Sequence, residues 1–236
     1  MDLDVNVPEE AAGAAMGVKN VYDHDYYYGA AYQDYDLQNP SAKLAFYRTV
    51  ALSSVQEMTN VRVLDIGCAF GRFLHTLPPS WVRVGVDVSA YAIEIAKRNI
   101  PGVSFQQGDL PSADLAAFDV ITAFDVIEHI GEVGPMLDRI ESLLAPGGVF
   151  TFVVPVYDGP LGWIVRWLDY DPTHVNKWSR KAWMTVVSER FDVVDSLGIF
   201  RYLFPGGVYA HIPTVWLRNV SPAVLITVRK RHKAVR

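Results

Sequence analysis

The feature that most limits the possible folds is a regular alternation of short apolar runs and helical stretches between residues 61 and 154. The apolar runs are nearly continuous, as in residues 118–124, instead of alternating strictly with polar residues. Strands that are buried on both faces have this composition, and parallel strands are usually joined by helices. The segment therefore predicts an α/β fold in which helices cover both faces of a mostly parallel sheet.

The strands predicted in this segment are residues 61–66, 82–88, 103–105, 118–124 and 149–154. The helices predicted between them are 71 to about 77, one that Ser89 caps, and 133–144, which residues 146–148 close. Beyond Pro155 the alternation breaks, and residues 156–178 are predicted to be irregular. The remaining predicted elements are a helix near 180–189 and two closing strands near 191–200 and 223–228.

The N-terminal part of the chain has a different composition. Residues 1–20 carry little pattern and are predicted to form a loose arm, whereas residues 21–35 contain six tyrosines. We predict that residues 1–40 form an arm and a tyrosine-rich lid, and that residues 41–236 form one domain. Within that domain, the irregular stretch at about 156–186 is predicted to be a substrate-facing insertion.

Composition restricts the possible partners. The chain holds 21 Lys and Arg against 26 Asp and Glu, a net charge of −5, which disfavours nucleic acid as the main partner. It has one cysteine, an acidic N-terminus without the features of a signal peptide, and no uncharged apolar run of ~18 residues. We expect a cytoplasmic protein with neither nucleic acid nor membrane as a partner. The basic residues in 229–236 are interpreted as a solvated tail.

The strongest local signal is the segment 63–73, where a buried strand passes through a glycine turn into a helix. Gly67 and Gly71 suit this turn, because backbone that bends tightly against a ligand favours residues without a Cβ. The G-x-G-x-x-G pattern of dinucleotide-binding loops is absent, since Ala69 stands where the second glycine would be. Asp65 would repel a pyrophosphate but suits a cationic amine. The loop therefore disfavours NAD as the ligand.

Acidic residues stand at the ends of three successive predicted strands. They are Asp65, Asp87, which lies 20 residues after Gly67, and Asp109. Ligands of open α/β sheets bind at the carboxyl ends of the strands, and an acid at the second strand end can accept hydrogen bonds from ribose hydroxyls. In chain order the three carboxylates would face an amine, a ribose and the adenine amine, with Leu110 packing near the ring. This set fits S-adenosylmethionine better than NAD.

These residues resemble those of class I S-adenosylmethionine-dependent methyltransferases, in the broad group that includes ubiquinone-pathway and natural-product enzymes. The resemblance spans residues 61–154. Residues 118–130 are similar to the fourth motif of the family, and residues 143–150 to its late helix-to-strand motif. The resemblance implies a Rossmann-like, seven-stranded, mostly parallel sheet with an antiparallel last strand.

The resemblance and the strand-end pattern together predict which residues contact the cofactor. Ala69 departs from the family, because many relatives have glycine there. In relatives, a segment such as the tyrosine-rich one closes over the cofactor, and a phenol and its ring can bind and shield it. The predicted cofactor-binding residues are Asp65, Gly67, Cys68, Ala69, Gly71, Asp87, Val88, Asp109, Leu110, Phe124, Tyr22 and Tyr27.

Candidate catalytic residues follow from the chemistry of the acceptor. A hydroxyl acceptor must lose its proton, which a positioned histidine can remove. His129, after the fourth strand, and His174, in the irregular stretch, are both candidate bases. By resemblance to ubiquinone-pathway relatives, Asp125, Glu128 and His129 are candidate ligands of a divalent metal, although we expect that no metal is needed.

The sequence therefore predicts a methyltransferase that uses S-adenosylmethionine and acts on a small molecule, with oxygen as the expected acceptor atom. Two alternatives stay open. One is methylation of a macromolecule with the help of the basic tail, and the other is binding of the cofactor without turnover. The patterns do not predict the oligomeric state.

Overall fold

The computed structural model describes residues 22–29, 35–55, 58–110, 117–169, 171–204 and 208–231, without the side chains of 202–204. The arm predicted at residues 1–20, part of the tyrosine-rich segment and the end of the basic tail lie outside these ranges. Among the described residues, no helix has both the length and the apolar character needed to cross a membrane.

The described strands form one eight-stranded sheet. They are β1 (Arg62–Ile66), β2 (Val82–Asp87), β3 (Ser104–Gln107), β4 (Phe118–Phe124), β5 (Leu144–Pro155), β6 (Phe191–Phe204), β7 (Val208–Thr214) and β8 (Ala223–Lys230). Their spatial order is β3-β2-β1-β4-β5-β8-β6-β7. The first five strands pair in parallel, whereas β8 is antiparallel to β5 and β6, and β7 is antiparallel to β6. The chain order switches direction between β1 and β4, and open α/β sheets bind their ligands at such points.

The helices connect these strands and precede the first one. They are α1 (His24–Tyr28), α2 (Tyr35–Gln38), α3 (Ser41–Ser53), α4 (Arg72–Thr76), α5 (Ala90–Asn99), α6 (Val133–Leu143), α7 (Gly162–Leu168) and α8 (Arg180–Ser188). A single 3₁₀ turn, Ile127–His129, follows β4. Serine caps begin two of the helices, because the hydroxyls of Ser89 and Ser179 accept hydrogen bonds from the backbone N–H groups of Ala92 and Ala182.

Two apolar clusters hold helices against opposite faces of the sheet. The first contains Ile140 of α6 and Trp183 of α8, together with Leu64 of β1. The second contains Leu74 of α4, other residues of α3 and α5, and Val63 of β1. The side chains of neighbouring residues in a strand point to opposite faces of the sheet. Since Leu64 belongs to the first cluster and Val63 to the second, the two clusters lie on opposite faces. The prediction of helices on both faces is confirmed.

The fold class and the antiparallel last strand are also confirmed, with one strand more than predicted. The additional strand is β7, an edge strand that contains Pro213, and proline is tolerated at an edge because the side that lacks the N–H can face solvent instead of a neighbouring strand. The region predicted to be irregular contains α7. The prediction that residues 146–148 end a helix was wrong in detail, because β5 begins at Leu144 directly after α6. The division at residue 40 stays a prediction.

The turn between β1 and α4 depends on the absence of a side chain at Gly71. Its φ is +71°, in the left-handed region that favours glycine. A Cβ at this position would lie 2.5 Å from Cζ of Phe105, which is buried in the second cluster. Gly71 also donates its backbone N–H to the carbonyl of Cys68 at 2.8 Å, which closes the turn. Backbone conformation and packing therefore both require glycine here.

The substitution Gly71→Ala is expected to lower the free energy of unfolding by about 2–4 kcal/mol, because left-handed strain and overpacking against Phe105 add together. Urea denaturation followed by circular dichroism measures the change. Gly131→Ala is the matched control, since nothing lies within 4 Å of its Cβ position. An equal loss in the two variants would contradict this explanation of the turn.

Candidate active site

A cavity of about 530 Å³ opens at the carboxyl ends of the parallel strands. Residues of α1 and α3 also border it, so it lies between the sheet and the N-terminal helices. The sequence-predicted residues that line it are Asp65, Gly67, Cys68, Ala69, Asp87, Val88, Asp109, Leu110, Phe124, Tyr22, Tyr27 and His129. Gly71 and His174 do not line this cavity. Gly71 lies in the turn between β1 and α4, and the ring of His174 packs against the ring of His129.

Asp87, the last residue of β2, joins three segments around the cavity. Its Oδ2 accepts a hydrogen bond from the N–H of Ala69 at 2.8 Å, and its Oδ1 accepts one from the N–H of Ser89 at 2.8 Å. The hydroxyl of Ser89 donates to the carbonyl of Tyr22 at 2.5 Å and caps α5. Burial raises the pKa of Asp87, and the two N–H donors oppose that rise. The glycine turn, the start of α5 and the N-terminal segment therefore depend on one carboxylate.

The glycine turn itself contains two residues with left-handed backbone besides Gly71. Gly67 has a φ of +68°, and a Cβ there would clash with the side chain of Val126. Ala69 has a φ of +44°, so the departure from the family noted in the sequence falls where glycine would be less strained. The hydrogen bond to Asp87 holds Ala69 in this conformation.

Asp65 lies in β1 and is buried at the cavity wall. The hydroxyl of Thr122 donates a hydrogen bond to its Oδ1 at 2.7 Å. Burial raises the pKa of Asp65 to about 7, against the effect of the Thr122 bond. A cationic amine placed beside this group would favour the ionised carboxylate. The surroundings of Asp65 therefore suit the amine-facing role predicted from the sequence.

The end of the cavity beside β3 combines an acid with apolar side chains. Asp109 is exposed and lies two residues beyond the end of β3, and Leu110 beside it is half-buried. Ile130 and Met136 line the same cavity. A flat, apolar ring with a hydrogen-bonding edge needs this combination of surfaces. These residues therefore fit the adenine-facing role predicted for Asp109 and Leu110.

Aromatic side chains from the N-terminal segment cover the cavity. Tyr27 is buried, and its ring centroid lies 4.8 Å from that of Phe70 in the glycine turn. The rings of Tyr22 and Tyr26 meet edge to face at 4.8 Å. The hydroxyl of Tyr26 donates to Oδ2 of Asp171 at 3.3 Å, in the stretch after β5. The tyrosine-rich segment therefore bridges the glycine turn and the region predicted to meet the substrate.

The two candidate histidines lie side by side, with ring centroids 4.6 Å apart. His129 lines the cavity, and its Nδ1 lies 2.8 Å from the hydroxyl oxygen of Thr173. Nδ1 of His174 lies 2.8 Å from Oδ1 of Asp169, which also accepts a hydrogen bond from Tyr157 at its other oxygen. Burial, together with the neighbouring His174, lowers the pKa of His129 to about 4, so His129 is neutral at neutral pH.

The hydrogen-bond partners of Thr173 determine the tautomer of His129. The Thr173 hydroxyl donates its only proton to Oδ1 of Asp171, at 2.5 Å. It can therefore only accept from His129, and Nδ1 of that ring must carry the hydrogen. The lone pair of His129 is consequently on Nε2. A neutral ring with a fixed Nδ1–H and a free Nε2 lone pair can act as a base.

Glu128 is fully buried, and neither of its carboxylate oxygens has a hydrogen-bond partner among the described residues. Burial raises its pKa well above the ordinary value, and the nearby Asp125 raises it further. Glu128, His129 and His174 offer ligand atoms that lie within 4.8 Å of one another, an arrangement that can hold a metal ion. Asp125, a metal ligand expected by resemblance, is not in this group. The absence of a metal requirement stays a prediction.

Sequence reasoning missed a charged group at the other end of the cavity. Nζ of Lys43 lies 3.7 Å from Oδ2 of Asp125, and the guanidinium of Arg201 donates to Oδ1 of the same carboxylate. Burial opposes ionisation of Asp125, but Arg201 and Lys43 hold its pKa below the ordinary value. Burial lowers the pKa of Lys43 to about 8. Because Lys43 and Arg201 are two cations beside the single anion Asp125, the group has a net positive charge, which suits the carboxylate of a ligand.

An open α/β sheet with this strand order and an acid-lined cavity at its carboxyl edge defines a Rossmann-like nucleotide-binding protein. The family model described as "Methyltransferase domain" matches residues 32–193. The chain belongs to this methyltransferase family. It is an S-adenosylmethionine-dependent methyltransferase of class I, as the sequence motifs predicted.

The chain is similar to the ubiquinone biosynthesis O-methyltransferase of Cereibacter sphaeroides, with 27% identity over 188 residues that cover 70% of each chain. Bacterial relatives with the same name match over 54–66% of their own length. Among solved structures, it is similar to the N-methyltransferase NodS of Bradyrhizobium japonicum bound to S-adenosyl-L-homocysteine, with a TM-score of 0.58, 19% identity, and coverage of 83% and 91% of the two chains. It is also similar to the [4+2]-cyclase SpnF, with a TM-score of 0.58, 18% identity, and coverage of 80% and 81%.

The substitution Asp87→Ala is expected to weaken the binding of S-adenosylhomocysteine at least about tenfold, because each lost charge-assisted hydrogen bond to the ribose contributes ~1.5–3 kcal/mol before compensation. Isothermal titration calorimetry measures the affinity. Asp87→Asn keeps an acceptor oxygen for the turn, and it should also bind weakly while remaining folded. Glu94→Ala, at an exposed ion pair on α5, is the control. Unchanged affinity in both Asp87 variants would mean that another residue holds the ribose.

Proposed function

We propose that this methyltransferase transfers a methyl group to a hydroxyl oxygen of a small molecule. The observation that carries the proposal is the neutral imidazole of His129 at the cavity wall, with its Nδ1–H held by Thr173 and a lone pair on Nε2. The name of the Cereibacter sphaeroides relative, an O-methyltransferase, also supports oxygen as the acceptor atom.

When it is bound, S-adenosylmethionine supplies an electrophilic methyl group on a sulfonium. In the proposed arrangement Asp87 binds the ribose hydroxyls, Asp65 the amine and Lys43 the carboxylate. The exposed Asp109 and the half-buried Leu110 hold the adenine. Each of these roles orients one part of the cofactor, and orientation is the main contribution of a protein to an in-line displacement.

His129 removes the acceptor proton in this proposal. Its Nε2 takes the hydroxyl proton, and the imidazolium that forms is stabilised by Asp171 through the hydroxyl of Thr173. Asp169 orients His174, which packs against the ring of His129. His174 is the second candidate base, and it is a positioning residue if His129 is the base. The tyrosines that cover the cavity exclude water.

The charge of the chain supports a small-molecule acceptor, and the cavity that would hold the cofactor has the size of a small-molecule site. A cavity of about 530 Å³ lies within the range of ~300–1,000 Å³ that is usual for small-molecule sites. The net charge of −5 does not favour the phosphate backbone of a nucleic acid. Transfer of a labelled methyl group into a small-molecule extract, followed by mass spectrometry, would identify the acceptor and the methylated atom.

With a hydroxyl-bearing small molecule as the acceptor, His129→Gln is expected to lower kcat by ~10²–10⁴-fold, because a general base typically contributes this factor. His174→Gln is expected to raise KM or change little, because the residue does not line the cavity. Steady-state kinetics with saturating S-adenosylmethionine separate the two effects. The reverse result would assign the base to His174.

The pH profile provides an independent check on the same assignment. A histidine base is active when it is neutral, so the rate falls as the pH drops through its pKa. Since burial lowers the pKa of His129 to about 4, activity should persist from neutral pH down to about 5 and fall below that. A decline centred near the ordinary histidine value of ~6.5 would argue against His129. If neither glutamine variant loses more than a few-fold in kcat, the acceptor arrives already deprotonated.

Removal of divalent metals with EDTA is expected to leave the rate unchanged, because the proposed mechanism relies on His129 and needs no Lewis acid. The rate is measured after chelation and after adding back Mg²⁺ or Zn²⁺. A loss of activity that a metal restores would contradict the proposal. It would assign a metal-binding role to Glu128, His129 and His174, which Glu128→Gln would then test by loss of metal binding in calorimetry.

A further inference from the structure

Three of the six tryptophans of this chain are strongly exposed. The exposed fraction is 71% for Trp163, 67% for Trp167 and 95% for Trp216. Trp183, by contrast, is fully buried. Tryptophan is a large apolar side chain that is highly buried on average, so three strongly exposed ones in a single chain point to an interaction surface.

The exposed tryptophans belong to two segments that meet. Trp163 and Trp167 lie four residues apart on α7, and Trp216 lies in the turn between β7 and β8. Just before α7, Gly159 packs so closely on the carbonyl of Asn219 that a Cβ would lie 3.3 Å from it. Exposed apolar side chains flank the tryptophans on both segments. We call the surface formed by Trp163, Trp167, Leu168, Val215, Trp216 and Leu217 the tryptophan face.

The charge of this surface is opposite to that of the whole chain. Residues 159–168 and 208–222 contain no Asp or Glu, although the chain carries a net charge of −5. Arg166 and Arg218 are exposed within these two segments. Asp158, just before the first segment, lies 3.7 Å from Arg180 and is therefore paired. The apolar surface is accordingly flanked by cations whose charge is not offset by acids of the same segments.

We propose that the tryptophan face docks this protein on the surface of an anionic lipid bilayer. Tryptophan is enriched at the membrane interface, where its ring lies among the headgroups, and arginine pairs with anionic lipids there. A second copy of the chain is a poorer fit, because a two-fold interface through this face would place Arg166 and Arg218 of both copies in one interface, where these segments supply no acids to pair with them. The proposal concerns peripheral docking, and it replaces the expectation from composition that the protein has no membrane partner.

The tryptophan face is connected to the wall of the active site. The guanidinium of Arg166 lies 5.6 Å from the ring centroid of Tyr157. Tyr157 donates a hydrogen bond to Asp169, and Oδ1 of Asp169 lies 2.8 Å from Nδ1 of His174, which packs on His129. Docking by α7 would therefore place the side of the cavity that carries the candidate bases next to the lipid surface. The proposal does not depend on which acceptor is methylated.

Vesicle flotation with the full chain tests the proposal. The wild-type protein is expected to float with phosphatidylcholine vesicles that contain phosphatidylglycerol, and to float much less with phosphatidylcholine alone. The triple variant Trp163→Gln, Trp167→Gln, Trp216→Gln should partition at least about tenfold more weakly, because the inserted apolar area is lost. The matched control is Met58→Gln with Val194→Thr, which changes exposed apolar residues outside the face. Binding of S-adenosylhomocysteine, measured by calorimetry, verifies that each variant is folded.

The charge contribution is tested separately with Arg166→Gln and Arg218→Gln, which should reduce the preference for anionic vesicles. Failure of the wild-type protein to float would overturn the proposal. Equal flotation of wild type and the tryptophan variant would also overturn it, because the basic residues 229–236 are unchanged in both proteins. Sedimentation velocity without lipid provides the last test. A wild-type dimer that the tryptophan variant abolishes would assign the face to a second copy of the chain instead.

Discussion

The carboxylate of Asp87 is the interaction on which the arrangement of the cavity depends. It satisfies the buried N–H of Ala69, a residue with unfavourable left-handed backbone, and the N–H of Ser89 at the start of α5. Without it, two backbone donors would be left unpaired in a largely apolar region, which is costly. A carboxylate has about four acceptor positions, so it can keep both backbone bonds and still accept from two ribose hydroxyls. The same group therefore shapes the cavity and can also bind the cofactor.

Much of the fold could be predicted because its signals are local in the sequence. The parallel strands are short apolar runs, and the turn after β1 favours glycine at position 71 through its left-handed backbone, a local requirement to which Phe105 adds a packing one. The clustering of the acids at the strand ends was also predictable, because the carboxyl ends of parallel strands meet at one edge of the sheet whatever side chains they carry. Asp65, Asp87 and Asp109 consequently line one cavity, as their positions along the chain predict.

The remaining features arise from contacts between distant parts of the chain. β7 is stabilised as an edge strand by pairing with β6, and its own sequence includes a proline that argues against a strand. The charged group of Lys43, Asp125 and Arg201 combines residues from α3, the end of β4 and β6, which no local pattern relates. The tautomer of His129 depends on which acceptor receives the hydrogen bond that the Thr173 hydroxyl donates. Of the tryptophans, the sequence alone could not separate the buried Trp183 from the exposed Trp216, since burial is decided by tertiary packing.

The tyrosine-rich segment has a consequence for the order of events in a turnover. The carbonyl of Tyr22 accepts a hydrogen bond from Ser89, next to the carboxylate of Asp87 that we propose binds the ribose, while Tyr26 bonds to Asp171 beside the candidate bases. One short stretch of chain therefore contacts the proposed cofactor compartment at one point and the proposed acceptor compartment at another. If this segment moves when a ligand is exchanged, both hydrogen bonds are affected, and with them the walls of both compartments. Binding and release of cofactor and acceptor would then be coupled, because both would depend on the movement of one segment.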